Sequence, residues 1–237
     1  MPSHLNISVV LPEDSTWNEV ETKFLIDGRD VIEPEFDTGP CLEPDMLLGP
    51  DGPLLPTDHP REVMLAEAEC TWGCCGAVCV RVRRDGDQVV WDRWHNPDDD
   101  DFSSAEVRFD SEQYEAELAR AHAERSWEWP GRTVARLLRT RLRAEPTALG
   151  RWNSSLGRTG SSIRTPNRVE MTFTSPPRDV VRDNLRTHGD FPQEYTQFRM
   201  RFPVRKEPAE RQAERIVAKL RTTDPRKKAK VCGGWFA

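Results

Sequence analysis

The chain has 237 residues, 36% hydrophobic and 31% charged, with 19 prolines and a net charge of −6. That allows one large domain or two small ones, with a lean core and long loops. No apolar run approaches the roughly 20 residues that span a bilayer, and "MPSHLNISVVLPEDS" lacks the basic start and apolar length of a signal peptide. We therefore expect a cytoplasmic protein with reduced thiols and no membrane partner.

"LNISVVLP" predicts a first strand. "TKFLIDGRDVIEPEF" predicts a hairpin around Asp27-Gly28, a pair that suits a tight turn. "DTGPCLEPDMLLGPDGPLLPTDHP" is too rich in Pro and Gly for a regular element and is expected to wrap the surface as a long loop. "REVMLAEAEC" gives a third strand, leading through a Gly/Cys turn into "AVCVRVRRDGDQVVWDRW". This stretch alternates on both sides of Asp85-Gly86. It predicts a hairpin that pairs Arg84 with Asp87, Val82 with Val89 and Val80 with Trp91. Val80, Val82, Val89 and Trp91 then face the core, while Cys79, Arg81 and Arg83 face away.

After the polar "HNPDDDDFSS" and a short strand, "AEVRFD", Asp110 or Ser111 caps a helix to about Arg125, with Tyr114, Leu118 and Ala121 on one face. Pro130 opens the next helix, in which Val134, Leu138 and Leu142 form the apolar stripe. "RWNSSLGRTGSSIRTPN" reads as a Gly/Ser loop. "RVEMTFT" and "QFRMRFPV" alternate, with Val169, Met171 and Phe173 inward. They can pair across a second long loop, "SPPRDVVRDNLRTHGDFPQEY". A helix from Pro208 carries Ala209, Ala213, Ile216, Val217 and Leu220. Asp224-Pro225 then starts a short basic helix that Gly233-Gly234 ends.

Strands and helices come in runs, so the expected fold class is α+β: antiparallel β-sheets, long Pro/Gly-rich loops, and about four helices mostly in the C-terminal half. Residues 1–128 carry 10 Lys/Arg and 30 Asp/Glu, whereas residues 129–237 carry 24 and 10. We expect an acidic β-rich lobe, 1–128, and a basic α+β lobe, 129–237, packed as one domain or two. Such halves either attract each other or present a basic surface to an anionic partner.

The Gly/Cys-rich turn, "VRRDGDQVVWD", "SWEWPGRTVARLL" and the "KVCGG" tail together resemble an uncharacterised family of actinomycete proteins, from about Leu47 onward. The resemblance implies no activity and carries over no catalytic residue.

Four of the six cysteines, Cys70, Cys74, Cys75 and Cys79, fall in "ECTWGCCGAVCV". The spacing C-x3-C-C-x3-C differs from paired zinc knuckles, and adjacent Cys74 and Cys75 point apart. Cys70, one of that pair and Cys79, with His59 or His95, would make a zinc set. The competing reading is a tight turn with small buried thiols. "HNPDDDD" offers His95 and Asp98 to Asp101 to a hard cation, or forms a solvated acidic loop.

Arg132, Arg136, Arg139 and Arg143 form a stripe on the second helix. With Arg158, Arg164, Arg199 and Arg201 they are candidates for binding an anion, a partner or nucleic-acid phosphates. Their alternative role is ion pairing with Glu115, Glu117 and Glu124. No nucleophile elbow or P-loop is present.

The expected function is therefore a non-catalytic binding or regulatory protein that acts through a protein partner. Beside it stand a zinc protein or enzyme centred on the Cys70–Cys79 turn and a nucleic-acid binder that uses the basic half. No cofactor other than zinc is expected.

Overall fold

The computed structural model describes all residues except 12–19, 34–35, 37–38, 40, 50, 69–74, 100–101, 103, 189–193 and 236–237, and only the backbone at 188 and 235. The fold is α+β with antiparallel sheets, in two compact units, Met1–Trp127 and Glu128–Ala237. Among the described residues, no helix is long and apolar enough to cross a membrane.

In the first unit, β1 (Leu5–Val10), β2 (Glu21–Ile26) and β3 (Arg29–Asp30) form a three-stranded sheet. The β2–β3 turn is the expected Asp27-Gly28. Both residues are left-handed, at φ +51° and +80°, as a type I′ turn requires. The segment expected to be a surface loop instead contains a one-turn helix, α1 (Pro44–Leu47), and buries Leu42, Leu47, Leu48 and Leu54 in the core. Pro44 sits in the first turn, where a missing N–H costs nothing, so the prolines did not exclude a helix there.

A four-stranded sheet follows in chain order: β4 (Arg61–Glu67), β5 (Ala77–Asp85), β6 (Gln88–His95) and β7 (Val107–Asp110). The β5–β6 hairpin exists, but its register differs from the expected one. Asp85 pairs with Gln88, Arg84 with Val89 and Val82 with Trp91, so the turn is Gly86-Asp87. Gly86 takes φ +64° in the first central position, the type II′ arrangement that glycine permits and Asp85 would resist. The slip is even in side-chain parity, so Val80, Val82, Val89 and Trp91 still share the core face.

Trp91 is fully buried and meets Phe24, Trp94, Phe109 and Tyr114 edge-on, at centroid distances of 5.8, 5.6, 5.5 and 6.2 Å. Its indole N–H donates to Tyr114 Oη at 3.1 Å, and that hydroxyl donates to the Leu54 carbonyl at 2.8 Å. The aromatic centre therefore also ties down the loop.

Helix α2 (Ser111–Ala123) begins under an Asp110 cap that accepts from the Gln113 N–H at 2.9 Å. Its polar side chains reach β1. Gln113 bonds both the N–H and the carbonyl of Leu5, and Glu117 accepts the Ile7 N–H at 2.6 Å while Arg120 donates to the Ile7 carbonyl. Three side chains thus stand in for a neighbouring strand along an edge that would otherwise invite one.

The second unit runs α3 (Pro130–Ala144), α4 (Thr147–Gly150), β8 (Ser155–Gly160), β9 (Arg168–Ser175), α5 (Arg178–His188), β10 (Tyr195–Pro203), α6 (Ala209–Thr222), a 3-10 turn (Pro225–Lys227) and β11 (Lys230–Trp235). The sheet order is β11-β10-β9-β8. The β9–β10 pairing is the expected one: Phe173 opposes Phe198 in a stacked pair 5.1 Å apart, Met171 opposes Met200, and Val169 opposes Phe202. Val134, Leu138 and Leu142 of α3 share this core with Ala213, Ile216, Val217 and Leu220 of α6.

Three expectations fail here. The Gly/Ser loop is in part strand β8. A Cβ at Gly157 would lie 2.7 Å from Thr172 Oγ1, so the glycine allows β8 and β9 to approach rather than breaking the strand. The second long loop holds α5, which starts directly after Pro177. The basic tail is only a 3-10 turn, and the segment bearing Gly233 and Gly234 is an edge strand paired with β10.

Candidate metal centre

The outer face of the first unit's four-stranded sheet carries Glu62 on β4, Cys79 on β5 and His95 on β6. Register explains their convergence. Glu62 opposes Arg81, two residues from Cys79, so both point to one side. Cys79 directly opposes His95.

That last pairing depends on a bulge. Arg81 opposes Asp92, so an unbroken ladder would set Cys79 against Trp94 and turn His95 into the core. One extra residue on β6 moves the pairing to Cys79–His95. Arg93 takes the left-handed conformation, φ +49°, at this point. The bulge sends Trp94 inward against Trp91 and turns His95 outward, the re-aiming for which bulges are known. Beyond it, Asn96 Oδ1 accepts the N–H groups of Ala77 and Asp98, both at 3.1 Å, and so fixes the start of β5 to the end of β6.

The ligand-capable atoms of Glu62, Cys79 and His95 lie within 4.8 Å of one another. Glu62 Oε2 stands 3.7 Å from His95 Nε2. His95 Nδ1 lies 3.3 Å from the Arg93 carbonyl. A carbonyl only accepts, so Nδ1 carries the hydrogen, and Nε2 is the ring nitrogen left to face Glu62 and an incoming ion. A backbone partner behind the ring in this way is typical support for a metal-ligating histidine.

Cys79 is 5% exposed, and burial, with the Glu62 charge adding to it, pushes its thiol up to about 11. It is therefore a protonated thiol at neutral pH, the opposite of the depressed thiolate a cysteine nucleophile needs. A cleft of about 460 Å³ opens at this point, lined by Pro60, Glu62, Arg81, Arg93, Trp94 and His95.

No family model matches the chain, and no curated protein or solved structure matches it. The site must be read from its own chemistry.

Of the four cysteines singled out from sequence, Cys79 enters the cluster. Cys75 is exposed, and Cys70 and Cys74 lie outside the described residues. Cys79 and Cys232 are free thiols. His95 belongs to the cluster and His59 does not. Asp98 and Asp99 are exposed, and Asp100 and Asp101 lie outside the described residues. Sequence reasoning missed Glu62 altogether. The sequence hinted at the bulge but not at Glu62: the two tryptophans of "WDRW", three residues apart, fall on opposite faces of a plain strand and can share one only across an extra residue.

The arginine candidates do not form one surface. Arg132 is buried with its guanidinium over the Trp129 ring, 5.5 Å from the centroid. Arg136 grips Glu128 with two bonds, at 2.6 and 3.0 Å. Arg199 and Arg201 share Glu170, at 3.7 and 2.8 Å. Arg139 is half-buried, and Arg143, Arg158 and Arg164 are exposed. Two of the glutamates expected to partner the stripe are engaged by residues of their own unit: Glu115 pairs with Arg84 and Glu117 with Arg120.

Proposed function

We propose that the Met1–Trp127 unit binds a divalent transition metal, zinc by its mix of donors, through Glu62, Cys79 and His95. The observation that carries this is the bulged register, which turns His95 onto the face of Cys79 and Glu62 with Nε2 toward the carboxylate. One sulfur, one imidazole and one carboxylate suit zinc better than magnesium or calcium, which prefer oxygen alone. Tetrahedral zinc, with bonds of ~2.0–2.3 Å, spaces its ligand atoms roughly 3.3–3.8 Å apart. The Glu62–His95 distance of 3.7 Å already meets this, and the largely exposed Glu62 side chain can adjust. On binding, the thiol proton of Cys79 leaves to solvent and the thiolate takes the ion.

Among the described residues three protein ligands meet, which leaves a fourth position to another ligand, as in zinc sites that act on a substrate rather than sites that only brace a fold. We therefore favour a metal-dependent function over partner binding through the basic half.

The test is zinc stoichiometry by mass spectrometry on the full chain, dialysed against buffered metal. Wild type should retain one equivalent. Cys79→Ser and His95→Ala should each weaken zinc by more than the ~10–100-fold that loss of an outer hydrogen-bond partner costs. Metal-free wild type at micromolar free zinc, or unchanged affinity in both variants, defeats the proposal.

A further inference from the structure

The residues around the cluster suggest what occupies the ion's open position. The cleft's two arginines are not equivalent. Arg81 is committed: its Nε and Nη2 donate to the two oxygens of Asp92, at 2.6 and 2.7 Å, and Asp92 also holds Arg83 at 3.0 Å. Arg93 makes no ion pair among the described residues. It is exposed, it lines the cleft, and its left-handed backbone belongs to the bulge that aims His95. A non-glycine residue held in this conformation is uncommon and tends to mark sites where geometry serves a purpose.

Charge then selects the ligand class. A divalent ion with the Cys79 thiolate and the Glu62 carboxylate is neutral. Arg81 is balanced within a network in which Arg81, Arg83 and Arg108 face Asp85, Asp92 and Glu106, three charges of each sign. Arg93 leaves one positive charge among the cleft-lining residues. A monoanion neutralises it, whereas a phosphate dianion overshoots by one.

Resting on the metal reading above, we infer that the open coordination position takes a small carboxylate, with one oxygen on the ion and the other on the Arg93 guanidinium. A planar guanidinium is well matched to a planar carboxylate, and a charge-assisted pair of this kind fixes orientation as well as affinity.

The test uses the full chain loaded with cobalt(II), which replaces zinc and reports its coordination in the visible spectrum. Acetate and inorganic phosphate are the probes, titrated at constant ionic strength. Wild type should show a thiolate-to-cobalt band on metal loading, and acetate should then shift the cobalt bands saturably. Arg93→Gln should weaken acetate about 10–100-fold, the loss expected for one charged hydrogen-bond partner, with cobalt affinity unchanged within a few-fold. Arg93→Lys, which keeps the charge, should recover part of the acetate affinity. Unchanged cobalt affinity in both variants shows that the bulge is intact.

A cobalt band that acetate leaves unmoved overturns the carboxylate inference alone. So does acetate binding that ignores Arg93→Gln, or a phosphate response tighter than the acetate response. Absence of the cobalt band overturns the metal reading and this inference with it.

Discussion

Trp91→Ala lowers the stability of the Met1–Trp127 unit by about 3–5 kcal/mol, the cost typical of truncating a large buried aromatic. Four aromatic rings lose their common neighbour. Tyr114, fully buried, loses the N–H that its hydroxyl accepts. The proper readout is hydrogen exchange of β5 and β6 amides, because it reports this unit directly. Their opening equilibrium should rise about 10²–10³-fold or more. Tyr114→Phe is the graded companion. It removes the bridge to Leu54, leaves the indole N–H and the carbonyl without it, and should cost about 1–3 kcal/mol. A Trp91→Ala loss under about 1 kcal/mol would show that the core is not organised around this ring.

The second large effect lies where α2 covers the edge of β1. Glu117→Ala removes the acceptor of a buried Ile7 N–H and strips Arg120 of its carboxylate. A hydrogen bond to a charged group contributes about 1.5–3 kcal/mol. Arg120 is half-exposed, so its part is largely screened and the total should stay near 2–3 kcal/mol. Protection of the Ile7 amide should fall first.

The pH dependence of this contact has a definite sign. Burial pushes the Glu117 carboxyl up, but Arg120 and the Ile7 N–H outweigh it and hold the group below its ordinary value. The unfolded chain then takes up a proton at higher pH than the folded one. The stabilisation is present above the unfolded value and is lost as pH falls through the folded one. Ile7 protection should therefore decline as pH drops from roughly 6 to 3 in wild type, and less so in Glu117→Gln, which keeps an acceptor but not the charge. Identical acid profiles would remove Glu117 from the account.

What could be read from the sequence followed local chemistry. Asp27-Gly28, the Asp110 cap, Pro130 and the alternating Val169, Met171 and Phe173 each specify their element through nearest neighbours. The misreadings came where tertiary contact overrides composition. Gly157 looked like a loop residue but permits a close strand pairing. Pro44 looked like a breaker but opens a helical turn.

The candidate site was legible only in part. Cys79 was placed on the face away from Trp91, and His95 was one of two histidines proposed. Glu62 was invisible because its partners are defined by register across three strands. The even two-residue slip of the hairpin left the faces intact. The bulge at Arg93 is an odd slip, and it alone decides whether His95 meets Cys79 or is turned inward.

The most direct test of that arrangement is X-ray absorption at the zinc edge of the loaded full chain. A centre made by Glu62, Cys79 and His95 gives one sulfur at about 2.3 Å, and nitrogen and oxygen neighbours at about 2.0–2.2 Å, including an imidazole signature that His95→Ala removes. A shell of three or four sulfurs would instead place the ion on the cysteine turn and contradict the three-strand site.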